Sequence, residues 1–145
     1  MRAVVQRARE ARVLVDGEAV ASVGPGLCVL LGVAQGDDEE AAARLAGKVA
    51  RLRIFENEEG RFDRSVVDTD GQALVVSQFT LIADTARGNR PSFTGAARPD
   101  VAEPVFEAFC AALERERIQV ARGSFGARML VEVANDGPVT IVLDT

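Results

Sequence analysis

The sequence predicts an α/β protein of the α+β type: a mostly antiparallel, barrel-like β-sheet with two main helices packed on one side. Three observations carry this. About seven or eight runs have the length and the apolar or alternating character of strands. Only two stretches repeat apolar residues at helical spacing. Most of the strand runs follow one another in hairpin fashion, through signals such as Asp16-Gly17. The 145 residues, 48% of them apolar, suit one domain spanning residues 1–145 around a single core, with no repeat, low-complexity tract or linker.

Taken in order, residues 3–15 alternate loosely between apolar and charged and fit a long half-exposed strand. Residues 18–23 return as its hairpin partner, Gly24-Pro25-Gly26 breaks the chain, and residues 27–33 form a buried strand, so the three should make a meander. Residues 36–40, rich in Asp and Glu, supply a cap and an acidic first turn. Ala42, Leu45, Val49 and Leu52 then recur at helical spacing over about four turns. Arg53-Ile54-Phe55 reads as a short strand, residues 56–60 as a turn and 61–71 as a polar connection.

The central strand is expected at residues 74–82, Leu-Val-Val-Ser-Gln-Phe-Thr-Leu-Ile, apolar at first and polar at its far end. Ser77, Gln78 and Thr80 each need a hydrogen-bond partner if buried, and a ligand is one such partner. Residues 83–98, with Gly88, Pro91, Gly95 and arginines at 87, 90 and 98, have the composition of an ordered loop beside a cleft. Pro99-Asp100 opens a second helix with Ala102, Phe106, Phe109 and Leu113 as its buried stripe; Pro104 should lie in its first turn. Strands follow at 119–121, 128–134 and 139–143. Phe125, between Gly123 and Gly126, either caps the core or walls a pocket. Gly137-Pro138 separates the last two strands where proline cannot join a ladder, and its X-Pro bond is the kind most able to be cis.

Composition narrows the chemistry. The chain has no histidine, which excludes Ser-His-Asp and Cys-His hydrolysis and any imidazole-built zinc site. Cys28 and Cys110 fall in apolar surroundings and read as small buried hydrophobes. The net charge of −5 argues against a broad nucleic-acid footprint, although every basic residue except Lys48 is an arginine, the residue suited to phosphate. The first seven residues lack the apolar core of a signal peptide, and no run reaches the roughly 20 apolar residues of a membrane span. A cytoplasmic protein without a membrane partner is expected.

Ser77-Gln78-Phe79-Thr80-Leu81 together with Asn135-Asp136-Gly137-Pro138-Val139-Thr140 closely resembles the D-aminoacyl-tRNA deacylases. The resemblance runs end to end. It includes Val5-Gln6-Arg7, the strand from Gly26 to Gly32, Arg53-Ile54-Phe55, the run Arg87-Gly88-Asn89-Arg90-Pro91-Ser92-Phe93, and Phe125. It implies a homodimer of barrel-like subunits, with the active site at the subunit interface, hydrolysing the ester between a D-amino acid and the 3′ end of tRNA. It also implies that Gly137-Pro138 is cis and projects into the neighbouring subunit's site, with Phe125 and Asn135 among the substrate-binding residues.

An aminoacyl ester is activated relative to an amide, and the adjacent ribose hydroxyl offers an acid-base group from the substrate itself. A protein without histidine then needs only to hold the ester and present main-chain N–H groups to the oxyanion. Donors around Gln78 and Phe79 are the candidates, with Ser77 and Thr80 in support. The competing mechanism makes Thr80 a covalent nucleophile, for which no histidine base exists. Asp84 is a candidate carboxylate base, although an aspartate shortly after a strand is more often a turn residue or helix cap, and no cofactor or metal is expected. Chirality requires a rigid main chain: carbonyls of a Gly-cis-Pro unit can take the α-amino group and exclude an L side chain. Glycine, with nothing to exclude, should then be accepted. Arg7, Arg53, Arg87 and Arg90 are the candidate phosphate contacts to tRNA. The alternative is a non-catalytic nucleic-acid-binding module on the same fold.

Overall fold

The computed structural model describes residues 1–145. Its organising element is β1 (Arg2–Val15), which is paired along both edges. One edge takes β8 (Leu130–Asp144) antiparallel, from Arg2 opposite Asp144 to Leu14 opposite Leu130. The other edge is shared: Arg2 to Ala8 pair with β3 (Gly26–Gly32) and Ala11 to Val15 with β2 (Glu18–Val23), both antiparallel. The sheet order is therefore β2-β1-β3, and the expected three-strand meander is replaced by two strands sharing one long partner. Asp16 and Gly17, with φ of 50° and 82°, make the left-handed turn that the Asp-Gly pair announced.

Beyond β3 the sheet turns parallel. The next strand, β6 (Gln72–Ser77), lies parallel to β3, and β7 (Gln119–Arg122) parallel to β6. Parallel neighbours need long crossovers, and the two helices supply them. Helix α1 (Glu39–Arg51) and the small hairpin of β4 (Phe55–Glu56) and β5 (Phe62–Arg64) lie between β3 and β6; α2 (Pro99–Arg115) lies between β6 and β7. Antiparallel pairs still outnumber parallel ones, as expected, but the central strands are the parallel set.

Alternation along these central strands buries both faces. Leu27, Val29, Leu31, Ala73 and Val75 join Phe106, Phe109, Leu113, Leu45 and Val49 beneath the helices. The intervening Cys28, Leu74 and Val76 turn the other way and meet Val13, Ala11 and Val23 inside the curve of the sheet. Two-sided burial is why these strands read as unbroken apolar runs. Helix α1 starts where the acidic run predicted, with the Asp38 carboxylate accepting the Ala41 N–H at 2.8 Å. Helix α2 starts at Pro99, so Pro104 stands in its second turn rather than its first, where it removes one intrahelical donor close to an already open end. Neither helix is long and apolar enough to cross a membrane.

Two further expectations are corrected. The central strand ends at Ser77, and Phe79–Ile82 forms a short 3₁₀ turn: Gln78 N–H makes the last bond alongside β3, to Leu31 O at 2.8 Å, and Gln78 O then accepts the Leu81 N–H at 3.1 Å, which starts the reversal. The last two strands are one, β8, with residues 136–139 bulging out of the ladder between Asn135 opposite Ala8 and Thr140 opposite Gln6.

Phe109 is fully buried at the helix–sheet junction. Phe109→Ala is expected to cost about 3–5 kcal/mol of stability, read as a lowered denaturant midpoint at unchanged m-value.

Candidate functional site

Parallel β3 and β6 end side by side, at Gly32 and Ser77, and β7 ends nearby at Arg122. Loops leaving the carboxyl ends of such strands commonly enclose a ligand site, and here they enclose a cavity of about 610 Å³. Ser77, Gln78 and Phe79 form its polar rim, Phe125 and Phe106 an aromatic wall, and Phe93 and Ala97 come from the loop that follows β6. Phe106 and Phe125 stand 6.0 Å apart between ring centroids; Phe79 and Phe93 meet edge to face at 5.1 Å. Phe125 thus has both roles that its sequence position left open, touching the core and walling the cavity.

The turn that carries Gln78, Phe79 and Thr80 is closed at its start by a bond from Leu81 N–H to Gln78 O at 3.1 Å. The first N–H groups of such a turn have no carbonyl within it to meet, which leaves Phe79 as a main-chain donor at the rim; Thr80 follows it in the turn but does not line the cavity. The Gln78 amide donates to Thr80 Oγ1, joining two of the predicted residues. Asp84 is a turn residue: Oδ1 accepts the Ala86 N–H at 2.9 Å. Its backbone pairs with Ser92, which makes residues 84–92 an ordered arm with Arg87 and Arg90 exposed near its tip.

Asn135, Gly137 and Pro138 are exposed and do not line this cavity. By ladder register, Asn135 lies opposite Ala8, whereas the Ser77 end of the sheet lies through Leu31 opposite Ala3. That separates them by roughly 17 Å along β1 at about 3.3 Å per residue. The Gly137-Pro138 peptide is cis, and Gly137 has φ 126°. A Cβ there would stand 3.1 Å from Arg7 Nη2 and 3.0 Å from Val139 Cγ2, so only glycine suits the position.

Arg7 receives a different task from the expected phosphate contact. Its side chain is 8% exposed. Nη1 donates to Ile54 O at 2.8 Å and Nε to Asp136 O at 3.0 Å, and the guanidinium lies 5.6 Å from the Phe62 ring centre. It stands where the 136–139 bulge leaves the ladder and ties that bulge to the β4–β5 hairpin. Arg53 is also engaged, paired with Asp63 and donating to its main-chain oxygen at 2.8 Å. The side-chain hydrogen bond from Arg53 to the carboxylate, helped by one from Asn57, holds the Asp63 carboxyl below the usual carboxylate range. Burial pushes the Cys28 thiol up to about 11 and Cys110 up to about 12, which keeps both protonated and poor nucleophiles.

The sequence profile described as D-Tyr-tRNA(Tyr) deacylase matches residues 4–144. The chain belongs to this family. It is 58% identical to a D-aminoacyl-tRNA deacylase of Roseiflexus castenholzii over 145 residues, all of this chain and 92% of the relative. It is 52% identical to the Thermus aquaticus D-aminoacyl-tRNA deacylase, covering all of this chain and 95% of that one. Among solved structures, one titled c-Myc DNA Unwinding Element Binding Protein superposes with a TM-score of 0.93 at 40% identity, over 100% of this chain and 99% of the other. A probable eukaryotic D-amino acid tRNA deacylase gives a TM-score of 0.82 at 19% identity over 99% and 98% of the chains, a likeness of fold.

Phe93 and Ala97 escaped the sequence reading because residues 83–98 have no periodicity to say which side chains turn inward. For Arg7 the sequence offered no signal, since an arginine inside a half-exposed strand pattern reads as a solvated side chain. Arg7→Met leaves the Ile54 and Asp136 carbonyls without their donor and is expected to cost about 1–3 kcal/mol in urea denaturation.

Proposed function

We propose that this chain hydrolyses the ester between a D-amino acid, or glycine, and the 3′ end of tRNA, acting as one domain over residues 1–145 in the cytoplasm. Membership in a family of aminoacyl-tRNA deacylases supports the reaction class. The observation that carries the mechanism is the meeting of the polar strand end, Ser77 to Phe79, with a flat apolar wall at Phe125 in a chain that has no histidine. Phe125 receives the terminal base, and the main-chain N–H of Phe79 meets the oxyanion. The ribose 2′-hydroxyl of the substrate serves as the acid-base group. Ser77, Gln78 and Thr80 hold the ester and the turn in place. No cofactor or metal takes part.

In this reading Gly137, Pro138 and Asn135 serve a second copy. They stand outside their own chain's cavity, on a strand whose far edge carries no partner and whose Leu130 and Val142 are 61% and 59% exposed. A homodimer covers that surface and brings the Gly137-Pro138 carbonyls of one subunit over the cavity of the other. There they accept the α-amino group and leave no space for an L side chain, so selection is by exclusion. Arg7 fixes the bulge that presents them. Arg87 and Arg90, exposed on the 84–92 arm, meet backbone phosphates of the acceptor end, while Arg53 contributes little because Asp63 already neutralises it.

Purified protein is expected to release amino acid from D-aminoacyl- and glycyl-tRNA, to spare L-aminoacyl-tRNA, and to leave a 2′-deoxy-terminated D-substrate intact. Thr80→Ala should keep kcat within roughly tenfold, the order of one lost hydrogen bond, whereas loss of a covalent nucleophile costs about 10⁵-fold or more. Normal cleavage of the deoxy substrate would return Thr80 as nucleophile; binding without any cleavage would favour the nucleic-acid-binding module. In salt titrations of tRNA binding, Arg87→Ala or Arg90→Ala should lower the slope by about one unit, and Arg7→Met should leave it unchanged.

A further inference from the structure

The turn from Gln78 to Ile82 is poorly supported by its own contacts. None of its residues Phe79–Ile82 is buried, so it has no core packing of its own to hold it. Its position must come from what it rests on, and two residues of the sheet edge meet it. We propose that Gly32 and Arg2, opposite one another in the β1–β3 ladder, set the position of this turn and hence of the donor for the oxyanion. The inference rests on the deacylase reading above.

Gly32 acts by what it lacks. A Cβ added there would lie 2.9 Å from Leu81 Cβ, 3.0 Å from Gln78 O and 3.2 Å from Ile82 Cγ1. Neither the Leu81 Cβ nor a backbone carbonyl can rotate away, so an alanine would push the whole turn outward. The residue before it, Leu31, holds the turn from the same strand by accepting the Gln78 N–H at 2.8 Å.

Arg2 acts from the neighbouring strand. In β1 it stands opposite Gly32 on one side and Asp144 of β8 on the other. Nη1 donates to Leu81 O at 3.2 Å, while Nε and Nη2 hold the Asp144 carboxylate at 2.7 and 3.4 Å. Carbonyls at the end of a helical turn need a donor from outside it; Arg2 supplies one and Asp144 aims it. Oxyanion donors work only when held within about 0.5 Å of their productive place, so a shifted turn weakens the transition state more than substrate binding. Gly32 and Arg2 are thus positioning residues, touching no substrate themselves.

The test compares full-length Gly32→Ala, Arg2→Met, Arg2→Lys and Asp144→Asn in D-aminoacyl-tRNA hydrolysis, thermal melting and backbone amide spectra. Gly32→Ala should lower kcat about ten- to hundredfold and Arg2→Met about three- to tenfold, each with KM within about twofold and melting well above the assay temperature. Arg2→Lys should recover at least about half of the lost rate, since an ammonium still reaches one carbonyl; Asp144→Asn should fall between wild type and Arg2→Met. The amide signals of Gln78 and Leu81 should move in Gly32→Ala and Arg2→Met and return in Arg2→Lys. Should Gly32→Ala not fold, the two Arg2 variants decide. Unmoved amide signals overturn the proposal, as does an unchanged kcat or a rise confined to KM. An inactive wild-type protein would sink the deacylase reading instead, and the amide signals would still decide whether Gly32 and Arg2 place the turn.

Discussion

Backbone pairing along both edges of β1 is the constraint on which the other elements depend. A strand of this length has donors and acceptors on two sides, and leaving either row dry and unpaired would cost far more than any single side-chain contact. One edge is satisfied by β8 alone and the other by β3 and β2 in succession. A slip of one residue would send Ala3, Val5 and Val13 to the wrong faces, so the two hydrophobic clusters lock the register that the ladders permit. The same register places Arg2 at one end, beside the 78–82 turn, and Arg7 further along, beneath the Gly137-Pro138 bulge.

The parallel pairing of β3, β6 and β7 explains where the polar residues go. Helical crossovers return each strand in the same direction, so their carboxyl ends gather and their loops must diverge around the space between α2 and the sheet. Ser77 and Gln78 are polar because they stand at that rim, half-buried, beyond the apolar stretch Ala73 to Val76. Their setting is rigid on the sheet side and open on the other. Such a combination suits chemistry in which the protein contributes fixed dipoles rather than a titrating side chain.

Charge is allocated with similar economy. Arg12 pairs with Glu132, Arg51 with Glu116 and Arg122 with both Glu107 and Glu114, and exposed pairs of this kind add little stability. Their larger effect is to neutralise these arginines locally. Arg87 and Arg90, exposed on the arm that borders the cavity, are left as local positive charge on a chain whose net charge is −5.

The sequence by itself determined what local chemistry controls. Helical spacing at Leu45 and Val49 and at Phe106 and Phe109, the Asp16-Gly17 turn, a cap within residues 36–40 and the strand runs at 3–15, 18–23 and 27–33 are all properties of short segments, and each became the expected element. The lack of histidine and the polar end of the central strand were equally legible, and so was the motif pair that carried the family. What only the tertiary structure decided depends on partners distant in the chain. Apolar runs do not state their neighbours, so the order β2-β1-β3 and the parallel centre could not be read from them. An extended pattern does not show where a strand ends and the chain folds back, so the turn at Phe79 was read as strand. Composition cannot separate an arginine that grips buried carbonyls, as Arg7 does, from one left in solvent, as Arg87 is, because the difference lies in what surrounds the guanidinium after folding.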